Sequence, residues 1–274
     1  SALGVPFADV PGVPVSFAVW ETRVSDFEVF VRETGYAWNH RTHFPQTGDH
    51  PVTNVSLRDA IAFCNWLTKR EQESGQISAL QSYRLPNKKE WDAAIGLAVG
   101  RKTDLLAAER EMDKQVFAWG TAWPPPPRSG NFNSDEISGT DDGFTYTAPV
   151  GQFAPTGEGI HDLAGNVWEW TWDQEVRAES IGVLRGGSWM YFRKECLLSS
   201  YEYAVPAELR APSIGFRCVF EDKRRVQAFL AAAQEMSKGR LQELREKLGT
   251  PAVSEQDVAK MRQQLDEKPV PQRV

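Results

Sequence analysis

The sequence predicts an α+β fold that is rich in irregular loops and ends in a helical tail. Three observations lead to this prediction: strand and helix-start patterns over residues 15–95, turn signals over residues 96–150, and an apolar stripe at helical spacing after residue 221. A chain of 274 residues is long enough to bury a sizeable core. We therefore predict a body over residues 1–221 and a tail over residues 222–274.

The first two elements of the body follow from local patterns. Val15–Val24 alternates as a half-buried β-strand does. Ser25–Glu28 has the spacing of a capping box, in which the side chains of the first and fourth residues each accept the other's backbone N–H. This predicts a helix that begins at Ser25 and is ended by Gly35.

Two further helices are predicted from the same kind of signal. Ser56–Asp59 and Asn87–Glu90 each place a capping side chain three residues before an acidic one. The first of these helices has an apolar face made of Ala60, Phe63, Cys64 and Leu67. Residues 96–150 then carry mostly turn signals, and a loop region of that length needs something to hold it in place.

The tail is predicted to contain two helices. The first carries an apolar stripe of Val226, Phe229, Leu230, Ala233, Leu241, Leu244 and Leu248. The second runs from Ser254 to Pro269. Two interpretations stay open, since the stripe can pack on its own domain or can drive self-association through residues 222–268.

Charge and hydropathy exclude some classes of partner. Residues 222–274 carry 11 Lys and Arg against 8 Asp and Glu, whereas the rest of the chain carries 20 against 29. An acidic body disfavours nucleic acid as the main ligand and is compatible with bound cations. No apolar run reaches the roughly 18 residues of a membrane span, and no signal peptide is recognised. A cytoplasmic and an exported bacterial location both stay open.

Several short motifs occur in a fixed order over residues 15–221. They are HPV at 50–52, RLP at 84–86, GNVWEW at 165–170, RGGSW at 185–189 and GFRC at 215–218. In this order they resemble the formylglycine-generating enzyme, or sulfatase-modifying factor, family, close to its non-catalytic relatives and to the variable proteins diversified by retroelements. The resemblance implies a C-type-lectin-like fold of short strands, few helices and much irregular chain.

The resemblance also implies two structural calcium sites. The first maps onto Asn131, the Phe132 carbonyl, Asp142 and the Phe144 carbonyl, and the second onto Asp162, the Gly165 and Val167 carbonyls and Glu169. Carboxylate, amide and carbonyl oxygens are the ligands that calcium prefers. The alternative is that Asp142 and Glu169 cap turns and pair with arginine.

The chain has three cysteines, Cys64, Cys196 and Cys218. The disulfide of the resembled family maps onto Cys64 and Cys218. These two residues are expected to be neighbours, bridged in an oxidising compartment and present as buried thiols in a reducing one.

Copper is not expected, because the copper site of the resembled family needs two cysteines and only one of the two positions has one. The positions are Tyr191 and Cys196, and a phenol with one thiolate does not reproduce a two-sulfur Cu(I) site. Cys196 is therefore expected to be a small core residue. If the protein is an enzyme nonetheless, Cys196 and Ser188 are its candidate catalytic residues.

The segment between RGGSW and GFRC mixes aromatic and charged residues, as binding surfaces do. Its candidate ligand-binding residues are Met190, Tyr191, Phe192, Arg193, Glu195, Tyr201 and Tyr203. The alternative is that these aromatic side chains pack against the tail.

Three functions follow from these observations. The first is a catalytically inactive domain that binds a protein or small ligand through residues 190–213, as a variable protein or a kinase-associated sensor would. The second is a copper-dependent formylglycine-generating oxidase that acts on a protein cysteine. The third is a scaffold that assembles through the C-terminal helices.

Overall fold

A computed structural model describes residues 1–38, 42–97, 115–133, 136–137, 142–172 and 180–248. Side chains are described up to residue 239. Ser1–Val226 forms one compact unit, and a second unit begins at Gln227. The second predicted tail helix, over residues 254–269, lies outside the described residues. None of the described helices is long and apolar enough to cross a membrane.

Among its described residues, the first unit contains two four-stranded sheets. The strands are β1 (Phe7–Asp9), β2 (Val15–Ala18), β3 (Gln81–Arg84), β4 (Trp168–Thr171), β5 (Ile181–Arg185), β6 (Tyr203–Pro206), β7 (Ile214–Gly215) and β8 (Val219–Asp222). One sheet has the order β1-β2-β8-β3 and is antiparallel throughout. The other has the order β6-β5-β4-β7, in which only the β4–β7 pair is parallel. The chain therefore has a mixed helix-and-strand architecture, as predicted.

The described helices are α1 (Val24–Thr34), α2 (Leu57–Glu73), α3 (Lys88–Ala94) and α4 (Lys223–Leu248). A 3-10 turn lies at Lys194–Leu197. The capping boxes predicted at Ser56 and Asn87 are confirmed, since each side chain accepts the backbone N–H three residues on and each acidic partner accepts in return. Gly35 ends α1 in the left-handed conformation, with φ of 69°.

The predicted start of α1 is wrong by one residue, and its N-cap is Arg23, which lies outside the predicted capping box. The helix begins at Val24, because Asp26 is buried and accepts hydrogen bonds from the backbone N–H and the guanidinium of Arg23. The preceding strand is also shorter than predicted and ends at Ala18. Beyond it, the backbone N–H of Thr22 donates to the Phe216 carbonyl at 2.9 Å, so this part of the chain leaves the first sheet.

The main core lies between the α1–α2 pair and the sheet that contains β4. Its aromatic centre consists of Phe27, Phe30, Phe63, Trp168, Trp170 and Phe216. The four residues of β4 are all buried, and the apolar face predicted for α2 is buried as well. As a result β4 is a rigid support, and the candidate site is built on its Trp168 end.

Candidate functional site

The seven candidate ligand-binding residues lie after β5 and before or within β6. We call this set, Met190, Tyr191, Phe192, Arg193, Glu195, Tyr201 and Tyr203, the tyrosine face. Three of its members contact the ring of Trp168, which is only 1% exposed. The ring centroid of Trp168 lies 5.0 Å from that of Tyr191, 5.9 Å from that of Tyr201 and 5.8 Å from that of Tyr203. The structure thus brings the three tyrosines together around one buried indole.

Several members of the tyrosine face, including Tyr203 itself, are exposed to solvent. Met190 is 45% exposed, and Phe192 and Tyr203 are each 38% exposed. Arg193 and Glu195 are exposed beside them. The face therefore combines an immobile aromatic base with large, solvent-accessible apolar side chains and charges of both signs.

Cys196 is half-buried and lies among the phenols. Burial raises the pKa of Tyr201, and the charge and hydrogen bond of the nearby Cys196 thiol raise it further. Burial likewise raises the pKa of Tyr191, with a further contribution from Tyr203. The raised pKa values of Tyr191 and Tyr201 thus keep these two phenols in their neutral forms beside the Cys196 thiol.

Ser188 lies beneath this cluster and is completely buried. Its carbonyl accepts the backbone N–H of Tyr191 at 2.9 Å, whereas its Oγ finds no hydrogen-bond partner in the described part of the protein. Gly187 is required here, because a Cβ atom would lie 2.6 Å from Leu197 and φ is +81°. Gly187 therefore lets the chain pass close to the 3-10 turn, whereas Gly186 lies against the Leu163 carbonyl.

Arg185 is a positioning residue that sequence reasoning did not single out, although it opens the RGGSW motif. Its guanidinium is buried and donates to Asp92 at 2.6 Å and to the Ser199 carbonyl at 2.8 Å. It also contacts Glu202 at 3.3 Å, and Glu202 pairs with Lys88. This network fixes the chain between the two ends of the tyrosine face.

The structure brings residues of the first predicted calcium cluster into contact with one another. The Asp142 carboxylate accepts the backbone N–H groups of Phe132 at 2.8 Å and Phe144 at 2.9 Å. Asn131 is buried, and its side-chain amide donates to the Tyr146 carbonyl at 2.7 Å. Its Oδ1 has no hydrogen-bond partner among the described residues. A buried oxygen left unpaired is costly, by about 1–3 kcal/mol, and a hard cation would satisfy it.

The second predicted cluster has one engaged carboxylate and one that is partly unpaired. Glu169 accepts two hydrogen bonds from Arg217, at 2.6 and 2.7 Å, with both side chains buried. Asp162 adopts φ of 59°, and its Oδ2 accepts the Gly151 N–H at 2.6 Å. Its Oδ1 is buried with no partner that the described residues provide. The expected alternative, an arginine pair for Glu169 and turn capping by Asp142, is therefore present alongside unsatisfied oxygens.

Carboxylate side chains alone do not provide enough ligands for a metal ion at either cluster. In the described ranges, no three His, Cys, Asp or Glu side chains converge closely enough to hold a metal ion. An ion at either place would also need carbonyl, amide or water oxygens, which is a ligand mixture that calcium accepts. The residues present fit calcium in this restricted sense.

Glu21 belongs to the second cluster and was missed by sequence reasoning. It is completely buried, and its oxygens accept no hydrogen bond from a donor group of the described residues, while its carboxyl lies within hydrogen-bond reach of Asp162. Burial raises its pKa well above the usual value, and the charges of Asp162 and Glu169 raise it further. Its only sequence signal is a glutamate after an apolar strand, which is too common a pattern to indicate burial.

Cys64 and Cys218 are both buried and their sulfur atoms are 3.3 Å apart. That separation is a contact between two thiols and not a bond, which needs about 2.05 Å. Burial raises the pKa of Cys64 well above its usual value, and the neighbouring Cys218 thiol adds to this. The pair is thus placed for oxidation but present as free thiols.

Comparisons with known proteins agree with this geometry. Residues 13–222 match the model of the sulfatase-modifying factor enzyme 1-like domain. Formylglycine-generating enzyme from Bos taurus is 30% identical over 194 residues, which cover 62% of this chain and 44% of that protein. Inactive C-alpha-formylglycine-generating enzyme 2 from Bos taurus is 33% identical over 147 residues, which cover 52% and 39%. The chain thus spans less than half the length of these two relatives.

The structure of PvdO from Pseudomonas aeruginosa has the same fold, with a TM-score of 0.56 over 80% of this chain and 91% of that chain at 17% identity. The match to the family model covers strands β2 to β8, the tyrosine face and both oxygen-rich clusters. On this evidence the chain belongs to the family of sulfatase-modifying factor enzyme 1-like domains.

Proposed function

We propose that this protein is a binding domain on a C-type-lectin-like formylglycine-generating-enzyme scaffold and that it is not a copper oxidase. The observation that carries the proposal is the pair Tyr191 and Cys196 at the two copper-ligand positions. The Tyr191 ring packs edge-on against buried Trp168, at 86° and 5.0 Å. A phenol held in this way cannot replace the second soft thiolate that Cu(I) requires.

Exposure of the tyrosine face supports a binding role. Met190 and Phe192 offer apolar contact area, and Arg193 and Glu195 lie beside them as a charged rim. Large side chains surrounded by charge are typical of protein-binding surfaces. The similarity to an inactive relative favours the same interpretation. We propose a peptide or protein segment as the ligand.

The absence of oxidase activity is tested by rebuilding the copper site. Tyr191→Cys restores two thiols five residues apart, and Phe192→Cys adds a thiol at the neighbouring, wrong position as a matched control. We expect stoichiometric Cu(I) binding, measured by competition with a chromogenic chelator, only for Tyr191→Cys. Oxygen-dependent oxidation of a cysteine peptide by the unaltered protein would overturn the proposal.

Binding is tested by selection from a displayed library of random peptides. The unaltered protein is compared with the Met190→Ser/Phe192→Ser double variant and with Leu80→Ser. Leu80 is 46% exposed and lies outside the tyrosine face, so it is a matched control. We expect the selected peptides to lose binding to the double variant and to keep binding to the control. Equal binding to all three proteins would contradict a role for this face.

Exposed residues on α4 favour self-association as a second candidate function. Phe229, Leu230 and Met236 are 40%, 54% and 77% exposed. Single helices are marginally stable in water unless an apolar face is covered, and a second copy of the chain can cover this one. We expect Leu230→Glu to lower the mass measured by light scattering and Gln227→Glu to leave it unchanged. A monomeric unaltered protein would rule out this function.

We also propose calcium as a structural ion at the two oxygen-rich clusters. Support comes from the unpaired Oδ1 atoms of Asn131 and Asp162 and from the acidic charge of the body. Calcium would join segments that are distant in sequence and would compensate buried negative charge.

A further inference from the structure

We infer that Lys194 and Trp123 form an anion-binding edge of the tyrosine face, and that the peptide or protein segment bound there carries an Asp or Glu side chain next to its apolar contact residue. The inference rests on the binding function proposed above and names the chemical class of its ligand. Neither residue belongs to the seven candidate ligand-binding residues predicted from the sequence.

Lys194 is the first residue of the 3-10 turn that ends at Leu197. Side chains three residues apart lie above one another in a 3-10 helix, so Lys194 shares a side of the turn with Leu197. Leu197 is buried in one cluster with Phe117. As a result the Lys194 ammonium lies 6.0 Å from the ring centroids of both Phe117 and Trp123, a distance at which aromatic rings attract a cation.

The aromatic rings under this ammonium form a rigid platform. The ring of Phe117 is parallel to that of Trp119, with a centroid distance of 4.8 Å and an angle of 1°, and its centroid lies 5.5 Å from that of Trp123. Phe117 and Gly120 also exchange two backbone hydrogen bonds, at 2.7 and 3.0 Å. Lys194 therefore rests on a preformed surface, and less side-chain freedom is lost when it meets a ligand.

This platform adjoins the tyrosine face. The Ser199 N–H donates to the Val116 carbonyl at 2.8 Å, which ties the chain before the platform to the chain after the 3-10 turn. Trp123 is 36% exposed, about as much as Phe192 at 38%. Because Phe192 and Lys194 are two residues apart in the chain, a segment that covers Phe192 is within reach of the Lys194 ammonium.

The charges at this edge are available to a ligand. Arg193 and Lys194 form no ion pair with any of the described residues, and neither does Glu195. Other exposed cations are paired, as Arg58 is with Glu208 at 2.6 Å. The three consecutive charges leave a net positive surface on a body in which 29 acidic residues outnumber 20 basic ones.

This distribution of charge selects the ligand. A locally positive surface favours a carboxylate by electrostatic complementarity, whereas the acidic body repels a polyanion. Met190 and Phe192, which are exposed beside the cations, need apolar partners. An otherwise apolar peptide segment with a few Asp or Glu side chains fits both requirements.

The experiment is selection from a displayed library of random peptides with the unaltered protein, Lys194→Glu and Lys223→Glu. Lys223 is exposed and lies outside the tyrosine face, so its charge reversal is a matched control. Peptides selected by the unaltered protein and by the control should be enriched in Asp and Glu beside an apolar residue. Peptides selected by Lys194→Glu should lack this enrichment.

The dissociation constant of one selected peptide gives a second readout. Lys194→Glu should weaken its binding by about fivefold or more and reduce the dependence on ionic strength, and Lys194→Gln should weaken it by a smaller factor. Trp123→Ala should also weaken binding, because the ammonium loses part of its platform. Lys223→Glu should change neither quantity. Thermal unfolding checks that each variant is folded.

Failure of this inference differs from failure of the binding function. Peptides that need Met190 and Phe192 but lack acidic enrichment, or that bind Lys194→Glu as tightly as the unaltered protein, would overturn the inference alone. Peptides that bind the Met190→Ser/Phe192→Ser variant unchanged would overturn both. A mass that rises with protein concentration and falls in Lys194→Glu would show that a second copy of the chain covers this edge, which also contradicts the inference.

Discussion

Arg217 and Glu169 form a buried two-point ion pair, in which Nε and Nη2 of the arginine donate to the two carboxylate oxygens at 2.7 and 2.6 Å. Both residues are completely buried. The pair connects β4 to the chain just before β8, and so joins the two sheets at the edge of the second oxygen-rich cluster.

Breaking this pair should be strongly destabilising. Arg217→Gln leaves three buried carboxylates without their guanidinium, and loss of one partner of a buried ion pair typically costs about 3–5 kcal/mol. The free energy of unfolding, measured in urea, should fall by that amount in chelator. Arg217→Met/Glu169→Leu, which removes both partners, should cost less than the single change. If the double variant lost as much unfolding free energy as the two single changes together, the two side chains would not be energetically coupled.

Stability in acid should depend on Asp59. Burial alone would raise the pKa of this carboxyl, but hydrogen bonds from Arg210, the Ser56 N–H and the Tyr36 hydroxyl outweigh burial and lower it. A lowered folded-state pKa stabilises the protein above the unfolded value, which is near 3.8, and this stabilisation is lost as pH falls through the lower, folded value.

The measurement is urea unfolding between neutral pH and about pH 2.5, so that the range extends about one unit below the pKa of the unfolded state. The difference in unfolding free energy between the unaltered protein and Asp59→Asn should be constant at high pH and shrink below about pH 4. A difference in unfolding free energy that does not vary with pH would show that Asp59 has the same pKa in the folded and unfolded states.

Cys64 and Cys218 should oxidise selectively. Their sulfurs are in contact, whereas Cys196 lies among the tyrosines. Mild oxidation should remove two of the three thiols counted by mass spectrometry, and the bridge should stabilise the protein by about 2–4 kcal/mol. On oxidation, Cys196→Ser should gain the same stability as the unaltered protein, whereas Cys64→Ser should gain none because it cannot form the bridge. Loss of all three thiols, or a bridge through Cys196, would contradict the geometry.

Gly165 should be far less tolerant of substitution than Gly159. Both have φ of +81°, so alanine is strained at either position, but a Cβ atom at Gly165 would lie 2.3 Å from the Asn131 carbonyl whereas nothing lies within 4 Å at Gly159. Gly159→Ala should cost about 1–2 kcal/mol. Gly165→Ala should cost about 1–3 kcal/mol more in thermal or urea unfolding. Equal losses would indicate that the two clusters are not in close contact.

The sequence by itself determined the local features of the fold and the family. The capping residues Ser56 and Asn87 and the helix-ending Gly35 act through hydrogen bonds or backbone conformation within a few residues, so their effects can be inferred from neighbours in sequence. The family followed from the order of short motifs between residues 15 and 221. The start of α1 was predicted wrongly because Arg23, a poor capping residue by type, is held there by buried Asp26.

Only the tertiary structure decided what the buried charged and aromatic groups do. Glu21 has the same local sequence signals as an exposed glutamate. Its pKa is nevertheless changed by burial and by the charges of Asp162, Glu169 and Arg217, which lie more than a hundred residues away in the chain. Likewise, the three tyrosines form one face because each contacts Trp168 on β4. Burial and charge compensation depend on contacts between distant segments, and no local pattern of residues encodes those contacts.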